Sequence, residues 1–247
     1  MQNKIYYFAC LSGGKDSSAM VDLLLKNGYP IDYIIFNDTL AEFPTMYEYL
    51  AKFNAHLKAS YGREITILRP AVNLENIIFA RAKKGKSEGK IKGAFLPQLG
   101  FCDWRLRAKI HPLEKFCRDR NIKKSQIRHY IGITTDEPRR ANRNDKTKIY
   151  PLLDDFKMSE RDCLEYLKSQ NLHNPLYDDF ARTGCAFCPA QNKASKRILF
   201  EKYPQIWAQI KEYERKLCEL EASGEAVYNK FWFKDKSISE YEKEFLV

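Results

Sequence analysis

The sequence lacks several things that would have fixed its class at once. Its apolar runs are only a few residues long, well short of the ~20 a helix needs to cross a bilayer, so no membrane-spanning segment is expected. The N-terminus has no basic-then-apolar leader, which points to the cytoplasm. No G-x-G-x-x-G occurs, so the dinucleotide fingerprint is excluded, and no internal repeat argues for a solenoid. Histidine is scarce, with four in 247 residues, and no Ser-His-Asp arrangement can be built on His111 or His129. Cysteine is present without a secretory leader, so its seven copies read as reduced thiols, metal or cluster ligands, or redox groups rather than a disulfide framework.

What is present begins with Leu11-Ser12-Gly13-Gly14-Lys15-Asp16-Ser17-Ser18. The apolar run Ile5-Tyr6-Tyr7-Phe8-Ala9-Cys10 before it reads as a buried strand, and Ala19-Met20-Val21-Asp22-Leu23-Leu24-Leu25 after it suits a helix. Strand, glycine turn and helix together aim backbone N–H groups and a helix N-terminus at one anion. Ser12, Ser17 and Ser18 add hydroxyls and Lys15 a positive charge, so the stretch reads as a phosphate loop. It is not the Walker loop, because Ala9 stands five residues before Gly14 and Asp16 follows Lys15. It resembles instead the pyrophosphate loop of the adenine-nucleotide alpha hydrolases, which hold the β- and γ-phosphates of ATP and expose the α-phosphate.

Strand and helix alternate through the first two-thirds of the chain. Ile31-Asp32-Tyr33-Ile34-Ile35-Phe36 reads as a second strand, ending at Asn37-Asp38-Thr39, where an open α/β sheet would place a ligand. A helix is expected to open over the stretch from Glu42 to Leu50 and run to about Ser60, with a third strand over residues 64–68 and a helical stretch from Cys102 to about Arg120. Ile127-Arg128-His129-Tyr130-Ile131-Gly132-Ile133 is the fourth strand, with Asp136, Glu137, Arg139 and Arg140 at its end. This pattern predicts a parallel sheet with helices on both faces. Residues 81–100, rich in Lys and Gly, are expected to form a mobile loop. Tyr150-Pro151-Leu152-Leu153 is expected to be extended, and a helix from Ser159 to Leu167 carries a Ser159/Asp162 capping box. The segment from Asn174 to Pro189 reads as loop, and the chain from Ala194 onward as a helical appendage. The expected division is 1–190 and 191–247.

Charge is concentrated. Residues 81–148 hold 20 Lys and Arg against 7 Asp and Glu, whereas residues 191–247 hold 11 against 10. A basic zone confined to mid-chain predicts a polyanionic partner, nucleic acid or a nucleotide, over a solvated face.

The motifs form an ordered set that resembles the phosphoadenosine-phosphosulfate (PAPS) reductase family. The set runs from the 12–17 loop through Asn37-Asp38-Thr39, Glu42-Phe43-Pro44 and Tyr47 to Ile131-Gly132-Ile133 with Asp136, Glu137 and Arg140. It continues with Tyr150-Pro151-Leu152, Asn174-Pro175-Leu176-Tyr177, Arg182-Thr183-Gly184-Cys185 and Cys188-Pro189. The resemblance implies a HUP-like pyrophosphate-loop fold and an adenine nucleotide as ligand. It assigns Ser12, Gly13, Gly14, Lys15, Asp16, Ser17, Ser18, Asp38, Gly132 and Glu137 to nucleotide binding. Lys15, Asp16, Asp136, Arg140 and Arg182 become the catalytic candidates, with Arg139 beside them. Asp16, Asp38 or Asp136 would hold Mg²⁺.

Two departures set the expected chemistry. Family members that reduce PAPS use a cysteine in a Glu-Cys-Gly-type tail, whereas this sequence ends Tyr241-Glu242-Lys243-Glu244-Phe245-Leu246-Val247 and its last cysteine is Cys218, in an expected helix. Cluster-binding relatives use a cysteine pair plus a later Cys-x-x-Cys, whereas here Cys102 stands alone before Asp103. Cys102, Cys185 and Cys188 remain, open to a three-thiolate 4Fe–4S cluster, to zinc, to a redox dithiol or to no ligand. Cys10, Cys117, Cys163 and Cys218 read as packing residues. The expectation is an ATP-dependent adenylating enzyme in sulfur transfer, acting on a nucleic acid or nucleotide; the alternatives are a sulfonucleotide reductase or sulfotransferase, and a nucleotide-sensing or nucleic-acid-binding protein without turnover.

Overall fold

Apolar runs broken by glycine and proline resolve into alternating strands and helices. The computed structural model describes residues 4–94, 102–233 and 236–246. The chain opens with β1 (Tyr6–Leu11), α1 (Lys15–Lys26), β2 (Tyr33–Asn37), α2 (Pro44–Tyr61) and β3 (Ile65–Leu68). There follow α3 (Leu74–Ile78), β4 (Ile91–Gly93), α4 (Asp103–Arg105), a π-turn over Leu106–Ile110 and α5 (His111–Asp119). Next come β5 (Ile127–Tyr130), β6 (Lys148–Ile149), α6 (Pro151–Asp154), α7 (Glu160–Ser169) and α8 (Leu176–Asp179). The last elements are α9 (Lys193–Lys202), α10 (Pro204–Ala222), β7 (Val227–Asn229) and α11 (Ile238–Phe245).

Two units form. The first takes the chain up to Asp38, Phe43–Arg69 and Pro112–Thr183; the second takes Thr39–Glu42, Pro70–His111 and the chain from Gly184.

The first unit holds a five-stranded parallel sheet in the order β3-β2-β1-β5-β6, flanked by helices. Period-two alternation sends Phe8, Ile35, Leu68 and Ile127 into one cluster with Phe116 and Cys117 of α5. α1 packs against β1 and against α2, α6 and α7. Among these helices lies the carboxylate of Asp22, 1% exposed, which meets His56 Nε2 at 2.6 Å and accepts from the hydroxyls of Tyr61 and Tyr166 at 3.0 and 2.6 Å. A buried carboxylate is tolerable only with such partners. From β1 the chain runs to β2 and β3 on one side, then to β5 and β6 on the other. The switch point therefore lies at the carboxyl ends of β1 and β5.

The second unit is built on a short parallel pair, β4 with β7, and on α9, α10 and α11. Gly93 is at φ +70°, and a Cβ there would lie 1.8 Å from the Asn229 carbonyl, so only glycine permits this pairing. Trp207 packs on Phe200, Phe233 and Phe245, the structural role expected of these aromatics. Glu214, 6% exposed, accepts the N–H groups of Trp232 and Ile238 at 2.8 and 2.7 Å. No described helix is long and apolar enough to cross a membrane.

Three local expectations need correction. Residues 151–154 are helical rather than extended, because Pro151 sits at the first helical position and Asp154 N–H reaches the Tyr150 carbonyl at 2.9 Å. Residues 81–94 are not a structureless loop. Arg81 bridges Ile91, Ala82 N–H donates to the Lys90 carbonyl at 2.9 Å, and Ile91–Gly93 form β4. Residues 95–100 of that expected loop lie outside the described residues. The helical stretch expected from Cys102 forms over Asp103–Asp119 with a π-helical turn at Leu106–Ile110, whereas the segment after Asn174, expected as loop, includes the helical turn α8. The Ser159/Asp162 capping box forms as expected. Cys10 lies in β1, and Cys117, Cys163 and Cys218 lie in α5, α7 and α10.

Candidate functional site

The site of the first unit starts where β1 ends. Gly13, at φ +76°, turns the chain, and Gly14 is the N-cap of α1. Gly14 has no side chain to cap the helix, so first-turn N–H groups of α1 are left for an anion. Space is short at both glycines. A Cβ on Gly13 would lie 2.3 Å from Met46 Sδ, and one on Gly14 3.0 Å from the Tyr177 hydroxyl. Gly132, after β5, packs against the loop so closely that a Cβ would meet Ser17 N at 3.0 Å. The expected phosphate loop and the expected Gly132 motif thus meet at the switch point.

The serines have different duties. Ser12 is exposed, and its Oγ lies 2.9 Å from Ser17 Oγ. Ser17 turns inward, donating to the Gly14 carbonyl at 3.0 Å and accepting from Ser12 N–H at 3.0 Å. Ser18 is fully buried. The backbone of the loop is also held from behind: Asn174 Nδ2 donates to the Gly13 carbonyl at 2.8 Å, and Lys15 N–H donates to the Tyr177 hydroxyl at 2.9 Å. Tyr177 OH lies 3.3 Å from Thr183 Oγ1. The Asn-Pro-Leu-Tyr motif is therefore a brace for the loop. The sequence showed the motif but not this duty.

Charge is tightly coupled here. Lys15 is 8% exposed, with its Nζ 2.7 Å from Glu160 Oε2, 3.8 Å from Asp16 Oδ2 and 5.0 Å above the Tyr177 ring. Burial works against its charge, but the Glu160 hydrogen bond wins and holds the ammonium pKa above its ordinary value. The same bond holds the Glu160 carboxyl below its ordinary range. Burial pushes Asp16 up to about 6, with Glu160 and Glu137 adding to the rise and Lys15 opposing it. Asp16 Oδ1 is buried with no hydrogen-bond partner. Glu160 has no motif to announce it. Its one signal is its place in the first turn of a capped helix, where acids gather for dipole reasons alone.

The remaining candidates surround this core. Asp136 accepts the Glu160 N–H at 2.6 Å and so fixes the start of α7. Glu137 pairs with Arg140 and lies 4.0 Å from Arg182; both arginines are largely exposed, as is Arg139. Asp38, 1% exposed at the end of β2, accepts from Tyr47 OH at 2.8 Å and from Arg69 Nε at 2.9 Å. The β1–β2 register pairs Leu11 with Phe36, which sets Asp38 level with Gly13.

The three candidate cysteines belong to the second unit and line one cavity of about 210 Å³ there, with Trp104, Arg105 and Lys109. Cys185 Sγ lies 3.7 Å from Thr39 Oγ1, and Cys188 N–H donates to the Cys185 carbonyl at 3.1 Å. Burial pushes the Cys185 thiol up to about 12 and raises that of Cys188. Among the described residues no three His, Cys, Asp or Glu side chains converge as a metal-ligand set. The thiols share a cavity but do not form the donor set that a cluster or zinc requires.

Comparison with protein families matches residues 7–191 to the phosphoadenosine phosphosulfate reductase domain. No curated protein sequence matches the chain. Among solved structures, the phosphate complex of phosphoadenylyl-sulfate (PAPS) reductase from Candida auris is similar at 19% identity, covering 75% of this chain and 82% of that one with a TM-score of 0.49.

Proposed function

The chain belongs to the phosphoadenosine phosphosulfate reductase domain family, and from that premise we propose that it is an ATP-binding enzyme. In this reading it adenylates a nucleic acid or nucleotide acceptor, releases pyrophosphate and serves sulfur transfer. The observation that carries the reading is the loop at the switch point, where the N-terminus of α1 has no side-chain cap and the buried Lys15 lies in its first turn. An adenine nucleotide seated there has its β- and γ-phosphates gripped and its α-phosphate open to attack.

The step balances without further reagents. An acceptor oxygen bonds to the α-phosphorus, the bond to the bridging oxygen breaks, and its electron pair leaves on pyrophosphate while the acceptor proton passes to solvent. Lys15 neutralises the charge that grows on the leaving group, and Arg140 and Arg182 are free enough to close on phosphate oxygens. Mg²⁺ fits this site, since the orphaned Asp16 Oδ1 is a hard oxygen donor and that ion needs only one or two carboxylates beside substrate phosphates. Bound there, it would supply charge neutralisation on the phosphates. No step is assigned to an iron–sulfur cluster or zinc at Cys102, Cys185 and Cys188, because their side chains do not converge.

A second reading, sulfonucleotide reduction, is favoured by the family's description. One set of assays separates the two. Pyrophosphate release from ATP that depends on added RNA, DNA or nucleotide supports adenylation. Sulfite release from PAPS or adenylyl sulfate supports reduction. ATP binding with neither product leaves a nucleotide-sensing role.

A further inference from the structure

Several lysines in the second unit are held in ion pairs. Lys193 and Lys236 meet Glu244, Lys211 meets Glu242, Lys216 meets Glu75, and Lys230 meets Glu221. Residues 82–90 differ from these in carrying several lysines together. Lys83, Lys84, Lys86 and Lys90 are all exposed, and among the described residues none has a carboxylate within ion-pair distance. Glu88 is the single acid among them.

This stretch is nonetheless tied down. Ala82 N–H donates to the Lys90 carbonyl and Gly89 N–H returns to the Ala82 carbonyl, both at 2.9 Å, while Glu88 N–H closes a turn on the Gly85 carbonyl at 3.0 Å. Gly85 and Gly89 supply the left-handed turns at φ +85° and +77°. Arg81 clamps the base, donating to the Gly89 carbonyl at 2.9 Å and to Glu225 at 2.6 Å, and Ile91 N–H donates to the Ala226 carbonyl at 2.8 Å. Four cations on a hydrogen-bonded loop repel one another, and among the described residues none of them is in an ion pair that would offset that repulsion.

We infer that residues 82–90 are a docking surface for the phosphate backbone of a nucleic acid. The inference rests on the nucleic-acid arm of the function proposed above and gives that arm a location. Ala82 and Ile91, the apolar residues at the base of the loop, are buried, so the loop offers charge and glycine backbone without apolar contact. A membrane-surface segment would bring an apolar face, and a protein partner would be met by aromatic and apolar anchors. Evenly repeated phosphates need only cations on a preorganised support, and each neutralised phosphate releases counterions.

The test uses the full chain, a fluorescein-labelled 20-mer as single strand and as duplex, and a salt titration without ATP. The K83Q/K84Q/K86Q/K90Q variant is expected to bind at least tenfold more weakly. Its slope of log K against log salt should fall by about 0.9 per lost contact on duplex or about 0.7 on single strand. A control, K58Q/K115Q/K211Q/K230Q, removes the same formal charge from paired sites and is expected to keep most of the affinity and slope. Equal losses in the two variants, no binding by the wild type, or tighter binding of polyglutamate than of the oligonucleotide would each overturn the assignment. ATP binding is measured in parallel. Its absence in the wild type would sink the proposed enzymatic function while leaving the loop result intact, and its loss only in the loop variant would show misfolding, to be resolved by the two double variants K83Q/K84Q and K86Q/K90Q.

Discussion

Lys15 Nζ lies 2.7 Å from Glu160 Oε2, so the cation proposed to meet a phosphate is held by a carboxylate from the first turn of α7. An incoming phosphate must compete with Glu160 for Lys15. Pyrophosphate binding followed by calorimetry should weaken about 30-fold or more in K15A, the worth of one charge-assisted hydrogen bond. E160Q should bind pyrophosphate about two- to fivefold more tightly, since Glu160 is partly exposed and its hold correspondingly screened. Weaker binding by E160Q would show that Glu160 supports the bound state instead.

The loop glycines make a paired prediction. G13A forces φ +76° on a residue with a Cβ and drives that Cβ into Met46, so it should cost ~2 kcal/mol or more and abolish nucleotide binding. G62A, at φ +63° with nothing within 4 Å, should cost only ~1 kcal/mol and leave binding unchanged. Thermal melts and ATP titration of the two variants check this.

His129 in β5 gives the pH prediction. Burial holds its pKa below the ordinary 6.5, so the folded protein carries it neutral where the unfolded chain begins to take up a proton. Stability from this residue is therefore present above pH 6.5 and lost as pH falls below it. Melting temperature should drop between pH 7.5 and 5.5, and H129Q should show a shallower drop. Identical slopes would contradict the assignment.

Asp22 ties α1 to α2 and α7 through His56, Tyr61 and Tyr166. D22A takes the shared acceptor from His56, Tyr61 and Tyr166, which are only half-buried, and should destabilise by about 2 kcal/mol. Y61F and Y166F, each losing one hydrogen bond, should cost about 1 kcal/mol by denaturant titration.

Local chemistry was legible in the sequence where it follows from short spacing. The parallel sheet, the turn at Gly13, the placement of Asp38 at the end of β2 and the Ser159 capping box all follow from apolar period and cap residues, whereas β5 stops at Tyr130, short of the expected Ile133. What the sequence hid was long-range. Nothing near Ile91 announces that β4 will pair with Val227–Asn229, a contact that gathers residues 70–111 with the C-terminal helices. Glu160 was equally silent, because an acid at a helix start is ordinary until Lys15, 145 positions away, is found against it. The cysteine spacing showed that Cys185 and Cys188 would be neighbours. It could not show that Cys102 would share their cavity without completing a ligand set.

The central claim is that the loop over residues 12–18 binds a nucleotide through its pyrophosphate. Competition calorimetry tests it most directly, with ATP, inorganic pyrophosphate and AMP titrated against the wild-type protein and K15A. Pyrophosphate should displace ATP, AMP should bind at least tenfold more weakly than ATP, and K15A should erase that difference. AMP binding as tightly as ATP, with pyrophosphate failing to compete, would contradict it.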